Sequence, residues 1–307
     1  MQNIESTAKS LASSMPRNVL FIVNPNAGKR ISERIVATIK REFPKSINFQ
    51  IVIWENKDKF DEITDLLKSG SFTDAVAVGG DGTVNEVAKS ILNTSIRLGI
   101  IPIGSGNGLA RSLGLSMKIE TTIKQLVEGR SVVIDSGTIN GKNFFCTSGV
   151  GFDAHISYLF ASSKSRGLKS YVKIILQQLF LYRAEEYTLA FEGQTLVRKA
   201  FLITVANAGQ YGNDFYIAPQ ALLDDGLFHV VILKPFNVFQ LPAMFVKILR
   251  RKAHTSRAIE TFVTNHLTIK RTKEDSIHFD GEPSLQGQEL AFVNEKQSLH
   301  VIVGKSK

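Results

Sequence analysis

An α/β domain with a parallel sheet, followed by a mainly β domain, is the architecture this sequence predicts. Three observations carry that prediction. From Asn18 to Glu128 short apolar runs alternate with amphipathic stretches of helical period, the pattern of strands and crossover helices in a parallel sheet. Beyond Ile139 the texture changes to strand-like runs broken by short turns. Three of the early apolar runs end in polar, glycine-bearing loops, and in a parallel sheet such loops gather at the carboxyl ends of the strands, where ligands bind.

Element by element, Asn18 to Val23 (NVLFIV) reads as a strand covered on both faces, stopped by the breakers Asn24-Pro25-Asn26-Ala27-Gly28. A helix is expected over Lys29 to Phe43, a strand over Asn48 to Trp54, and a helix over Lys57 to Ser69. A strand over Ala75 to Val78, a helix over Thr83 to Leu92 and a strand over Arg97 to Ile101 follow, then a helix over Ile119 to Glu128. The second half offers strands at Ser131 to Ile139, Asn143 to Ser148, Tyr187 to Phe191 and Arg198 to Ala206. Leu168 to Tyr182 and Val238 to Arg250 carry apolar residues at helical spacing with Lys or Arg opposite, so they read as helices laid against the β region. The first domain is expected over residues 18–139 and the second over 140–297; within 298–307 the strand Leu299 to Val303 can return to the first domain. Residues 1–17 are polar and small, and read as a flexible arm.

Of 307 residues, 43% are hydrophobic, which excludes global disorder, and no run approaches the roughly 18 apolar residues a membrane-spanning helix needs. The start of the chain lacks the pattern of a secretory signal, and the lone Cys146 has no partner for a disulfide, so a cytoplasmic location is expected. A net charge of +9 points to an anionic partner: nucleotide, nucleic acid or an acidic membrane face.

The stretch Ala75 to Val87 (AVAVGGDGTVNEV) is strand, glycine turn, helix: a phosphate-binding arrangement in which Gly79, Gly80 and Gly82 admit close backbone approach and the helix start favours anions. Asp81 within that loop repels phosphate unless a divalent cation or a proton transfer needs it; the alternative is a helix cap. The loops Asn24 to Lys29 and Pro102 to Asn107 join it on the same edge. Neither the Rossmann nor the P-loop fingerprint fits their spacing.

The ordered set NPNAGK, GGDGTVNE and PIGSGNGLAR resembles the diacylglycerol kinase catalytic domain shared by bacterial lipid kinases, sphingosine kinases and ceramide kinases. The resemblance extends through Gly149 to Asp153 (GVGFD), Leu222 to Phe228 (LLDDGLF) and Asp280 to Glu282 (DGE). It implies a nucleotide-binding α/β domain of NAD kinase/diacylglycerol kinase type, a β-sandwich-like second domain, and ATP-dependent phosphorylation of a lipid hydroxyl in the cleft between them. By that resemblance Asn24, Pro25, Asn26, Ala27, Gly28, Gly79, Gly80, Asp81, Gly82, Thr83, Asn85, Glu86 and Ser105 hold ATP. Glu55 stands where such enzymes often carry a Thr facing the nucleotide. A structural Mg²⁺ would be held by Asp225 and the carbonyls of Leu222 and Leu227, with Asp135 linking it to the active site.

The same resemblance makes Asp280 or Glu282 the proton acceptor, Asp280 being the first choice, with Asp81 beside the phosphates. Phe279-Asp280-Gly281 is equally a strong hairpin-turn signal, and both readings can hold. The six His residues show no metal-ligand spacing and read as structural. Basic residues Lys164, Arg166, Lys169, Lys173 and Lys247, Arg250, Arg251, Lys252, Arg257 suit peripheral contact with anionic lipid better than nucleic acid, since no stacking or groove-reading motif accompanies them. A homodimer is compatible with the sequence. An NAD kinase-like enzyme and a non-catalytic nucleotide- or lipid-sensing module stand as the rival readings.

Overall fold

Side-chain alternation along β1 (Asn18–Val23) explains the layering of the first domain. Val19, Phe21 and Val23 enter one core with Ile35 and Ile39 of α1 (Lys29–Glu42), while Leu20 and Ile22 enter the opposite core. With both faces covered, the strand has no polar side, which is why it reads as an unbroken apolar run. The computed structural model describes residues 16–25, 29–163, 168–213 and 215–304. Most of the expected arm, and the loop residues Asn26, Ala27 and Gly28, lie outside the described residues. Arg17, expected in that arm, is anchored: its guanidinium reaches the buried Asp74 at 3.2 Å and the carbonyls of Leu126 and Val127.

The first domain continues through β2 (Asn48–Ile53), α2 (Lys57–Lys68), β3 (Asp74–Gly79), α3 (Asp81–Ser90), β4 (Arg97–Pro102), α4 (Gly108–Ser112) and α5 (Ile119–Glu128). Strands β2, β1, β3 and β4 lie side by side, all parallel. Helices α1 and α5 cover one face and α2, α3 and α4 the other.

Next comes the hairpin β5 (Arg130–Ile139) and β6 (Lys142–Phe144), across which the first domain gives way to the second. Then come β7 (Thr147–Gly151), α6 (Phe152–Ser162), α7 (Leu168–Gln178), β8 (Glu185–Phe191), β9 (Gln194–Ala200), β10 (Leu202–Ala206) and β11 (Phe228–Leu233). Helix α8 (Leu241–Leu249), β12 (Ile259–Thr264), β13 (His266–Lys270), β14 (Asp275–Phe279), β15 (Glu282–Gln286) and β16 (Glu289–Val303) complete the chain. One sheet, ordered β12-β11-β10-β7-β14-β15, packs through Val150, Ile203, Val230 and Phe279 against Tyr187, Leu189, Ile269 and Phe292 of the other. That is a β-sandwich. Strand β16 belongs to both domains: it pairs antiparallel with β5 and β13, and its end runs parallel to β4 at Val301 and Leu98.

Three details depart from the expected strands. The run Asn143 to Ser148 breaks at Phe145 and Cys146, whose N–H groups turn to the Asp280 carboxylate instead of a ladder. The run Arg198 to Ala206 breaks at Phe201, where the chain leaves one sheet and enters the other and the Phe201 N–H bonds the Leu233 carbonyl. Phe152 to Ser162 is a helix absent from the expectation; its buried Phe152 and Ile156 lie one turn apart on one face.

Candidate active site

At the end of β3 the chain turns through Gly80, which caps α3 in an extended conformation. A Cβ on Gly79 would overlap the Thr83 side chain, and one on Gly104 would stand 2.6 Å from the Gly80 Cα. Gly80 and Gly104 therefore serve backbone-to-backbone packing of the second loop on the third. The first loop joins them through Asn24, whose side-chain amide donates to Thr83 Oγ1 at 2.8 Å. Asn85 and Thr83 are buried in α3, Pro25 is half-buried, and Ser105 and Glu55 are exposed at the rim. Glu86 pairs with Lys89 at 2.7 Å.

Asp81 opens α3, yet its carboxylate serves a different helix. One oxygen accepts the Asn107 N–H at 2.9 Å and the other the Gly108 N–H at 2.7 Å, so it fastens the third loop where α4 begins. Asn107, in the left-handed conformation at φ 54°, closes that loop internally by exchanging hydrogen bonds with the Gly104 N–H and carbonyl. Burial pushes the Asp81 carboxyl up, while the two backbone N–H groups and Arg111 pull it back. The carboxylate within this glycine loop thus has a structural role, the fastening of the third loop.

The second domain brings its own carboxylates to this edge. Phe279 pairs with Glu282 across a two-residue loop, Asp280 at φ 51° and Gly281 at φ 89°, the positive values a type I′ turn requires. The Asp280 carboxylate accepts three backbone N–H groups, from Phe145 at 2.8 Å, Cys146 at 2.7 Å and Thr147 at 2.8 Å. The Glu282 carboxylate makes no hydrogen bond among the described residues, and a Cβ added to Gly82 would collide with its Oε1. Its carboxylate therefore rests on the first turn of α3. Desolvation pushes the Glu282 carboxyl up, Lys89 opposes, and the Glu86, Asp280 and Asp81 charges add to the rise. Burial likewise raises Asp280 and the Cys146 thiol. A groove of about 340 Å³ beside Glu282 is lined by Lys89, Lys142, Asn143 and Ser284.

Sequence reasoning passed over the polar cluster behind this turn. His278, read as merely structural, lies with Asp153, Tyr211 and Thr204 in one hydrogen-bonded group. The available signal was its position, two residues before Asp280 on the strand that ends in the turn.

The segment expected to hold a cation folds as a tight turn at Gly226, φ 74°. Asp135 is fully buried, and its two oxygens accept the Gly226 N–H at 2.6 Å and the Gln297 N–H at 2.7 Å, tying the turn to β5 and β16. Asp225 Oδ1 accepts the Leu227 N–H at 3.0 Å, and Oδ2 stands 3.8 Å from His229 Nε2, beyond a hydrogen bond. One carboxylate oxygen with neighbouring carbonyls and water suits a hard cation such as Mg²⁺. No cluster of three or more His, Cys, Asp or Glu side chains able to hold a metal occurs among the described residues.

On the outer face of the six-stranded sheet, α6, α7 and α8 bury Phe152, Ile156, Met244 and Ile248, with Ile174 and Ile175 packed against them. Leu176 of α7, Phe245 and Leu249 of α8, and Phe180, Leu181 and Phe239 just outside these helices are exposed. Lys173, Arg250 and Lys252 are exposed beside them, whereas Arg251 lies over the Tyr216 ring at 3.9 Å. Lys164 and Arg166 lie outside the described residues. No described helix is long and apolar enough to cross a membrane.

Residues 18–139 match the family described as diacylglycerol kinase catalytic domain, and residues 147–300 match the YegS C-terminal NAD kinase beta sandwich-like domain. The diacylglycerol kinase of Bacillus subtilis (strain 168) is 26% identical over 305 residues, covering 94% of this chain and 96% of that one. The diacylglycerol kinase of Staphylococcus saprophyticus is 25% identical over 296 residues, covering 94% and 95%. The crystal structure of a diacylglycerol kinase from Bacillus anthracis superposes with a TM-score of 0.72 at 19% identity, over 95% of this chain and 98% of that one, a likeness of fold.

Proposed function

Because the chain belongs to the diacylglycerol kinase catalytic domain family and is a lipid kinase, we propose that it transfers the γ-phosphoryl group of ATP to a lipid hydroxyl, diacylglycerol being the acceptor its relatives' names favour. The observation that carries this reading is the seating of Glu282, from the second domain, on the Gly82 turn of the first. A proton acceptor and an anion-binding helix start then face one reaction space. The lipid hydroxyl oxygen attacks the γ-phosphorus, the bond to the β-phosphate oxygen breaks, ADP leaves, and Glu282 takes the hydroxyl proton. We assign Asp280, with both oxygens engaged by backbone, to holding the bend between β6 and β7. Asp81 holds the third loop.

Asp81, Glu86, Asp280 and Glu282 border the turn, and such a set repels a bare triphosphate. Mg²⁺ bound with ATP would offset that charge and polarise the transferring group. A second, structural Mg²⁺ would take Asp225 with the carbonyls of Leu222 and Leu227. Incubation with labelled ATP, Mg²⁺, NAD and mixed micelles holding diacylglycerol and a sphingoid base is expected to yield labelled phosphatidic acid. A labelled sphingoid-base phosphate would move the acceptor, labelled NADP would replace the reading with an NAD kinase, and no transfer to any acceptor would favour a non-catalytic module.

Reaching a membrane substrate calls for peripheral binding, and the apolar ridge of α7 and α8 ringed by Lys173, Arg250 and Lys252 suits an anionic bilayer. At about 1 kcal/mol per basic residue near the surface, neutralising these three is expected to weaken partition onto anionic vesicles by roughly 10²-fold. The binding should also fall with salt. Equal binding to neutral and anionic vesicles would sink this assignment.

A further inference from the structure

The Asp-Gly-Glu turn is braced from behind by buried polar groups that the phosphoryl transfer does not itself use. His278, on β14, is 2% exposed; its Nδ1 accepts the Gly281 N–H at 3.3 Å, and its Nε2 lies 3.3 Å from Asp153 Oδ2. A backbone N–H only donates, so Nδ1 carries no hydrogen here, and the neutral ring bears its hydrogen on Nε2, facing the carboxylate. The same Asp153 oxygen accepts the Tyr211 hydroxyl at 3.0 Å; Thr204 Oγ1 lies 3.1 Å from it and is hydrogen-bonded to the Tyr211 hydroxyl, while Oδ1 accepts the Ala154 N–H at 2.8 Å. Burial, then the Asp153 charge, pushes the Tyr211 phenol well up, so it stays a donor. Hydrogen bonds thus run from β10 and the first turn of α6, through one imidazole, to the N–H of the residue before Glu282.

That last link matters because of where Glu282 stands. Asp280 and Gly281 are both left-handed, and the side chain that follows them must reach across to α3 of the other domain. A small rotation of the turn is magnified at the end of a glutamate. Misplacement of a reacting group by about 1 Å can cost on the order of 10² in rate. We propose that His278, held in one tautomer by Asp153, is a positioning residue that sets where Glu282 meets the reaction space. The proposal rests on the reading of Glu282 as proton acceptor. The simpler alternative is a core histidine whose hydrogen bonds only satisfy buried groups.

Two substitutions separate these roles. In His278→Asn the carboxamide oxygen stands close to the Nδ1 position and can still accept the Gly281 N–H; in His278→Gln the amide reaches toward the Nε2 position and keeps only the link to Asp153. With ATP and diacylglycerol micelles, His278→Asn is expected to keep kcat within about threefold, and His278→Gln to lose about 10- to 100-fold in kcat with KM for ATP within about twofold. Equal losses, two unaffected variants, or a loss that tracks melting temperature rather than kcat would overturn the proposal. Ring-nitrogen NMR of the full wild-type chain reads the tautomer without any variant: an Nε2–H ring is expected, and an Nδ1–H ring overturns the proposal. Glu282→Gln in the same assay tells the two readings apart. Wild-type turnover there removes the acceptor role itself, whereas its loss alongside an unaffected His278→Gln removes only the positioning role.

Discussion

Glu282→Gln is expected to lower turnover by about 10² to 10⁴ while leaving the melting temperature at neutral pH unchanged or raised. The two effects have one source. The Glu282 carboxylate makes no hydrogen bond among the described residues, and desolvation with the neighbouring Glu86, Asp280 and Asp81 charges pushes its carboxyl up against the pull of Lys89. The dipole at the start of α3 favours an anion by about 0.3–1 kcal/mol, but those neighbouring carboxylates oppose it at close range. A carboxyl raised in the folded state binds its proton more tightly there than when unfolded. Its contribution to stability is therefore present below the unfolded value, about pH 4, and is lost as pH rises through the folded one. Glu282 is solvent-exposed, so water screens much of that cost at neutral pH, and Gln removes what remains together with the proton acceptor. Melting curves of both proteins from about pH 4 to 8 should converge in acid. Wild-type turnover should fall as pH drops through the raised value. Full activity in Glu282→Gln would place the chemistry elsewhere.

The first domain was legible because its signals are local. A strand buried on both faces is an unbroken apolar run, as in Asn18 to Val23, and each helix between strands shows its own period. Asp280-Gly281 was legible as a turn for the same reason, since its left-handed residues are fixed by residue type. What stayed hidden depends on partners far along the chain. Nothing near Cys146 says that its N–H will bond a carboxylate 134 residues later, so the strand seemed to continue. Nothing near Phe201 marks the switch between sheets, because apolar residues suit both. Asp81 was legible as an anomaly within a phosphate-type loop, but its acceptors' partners sit 26 and 27 residues on, at Asn107 and Gly108. His278 carried no local signal beyond its place two residues before Asp280; its value lies in the bonds of its ring to Asp153 and to the Gly281 N–H.

Asp280→Asn is expected to lower stability as well as turnover, and this separates an anchor from a base. A residue acting only as proton acceptor would lose rate with melting temperature unchanged. Asp280 instead receives three backbone N–H groups within the break between β6 and β7, and it is the one side chain of the turn that joins the turn to that break. A carboxamide keeps one acceptor oxygen and turns an NH₂ toward at least one of those donors, so a donor is left facing a donor. Each buried donor left unsatisfied costs about 1–3 kcal/mol, and Asp280→Ala, which strands all of them, should cost about 3 kcal/mol or more. The desolvation that raises the Asp280 carboxyl works against this, because removing a buried charge recovers part of the loss; Asn should therefore fall between wild type and Ala. Turnover should drop in both variants because Glu282, two residues on, loses its fixed approach to Gly82. The measurement is denaturant unfolding beside kcat for wild type, Asp280→Asn, Asp280→Ala and Glu282→Gln. Wild-type stability in Asp280→Asn with a large fall in kcat would return the proton acceptor to Asp280. Parallel losses of stability and rate at Asp280, set against loss of rate alone at Glu282, are what the hydrogen-bond geometry predicts.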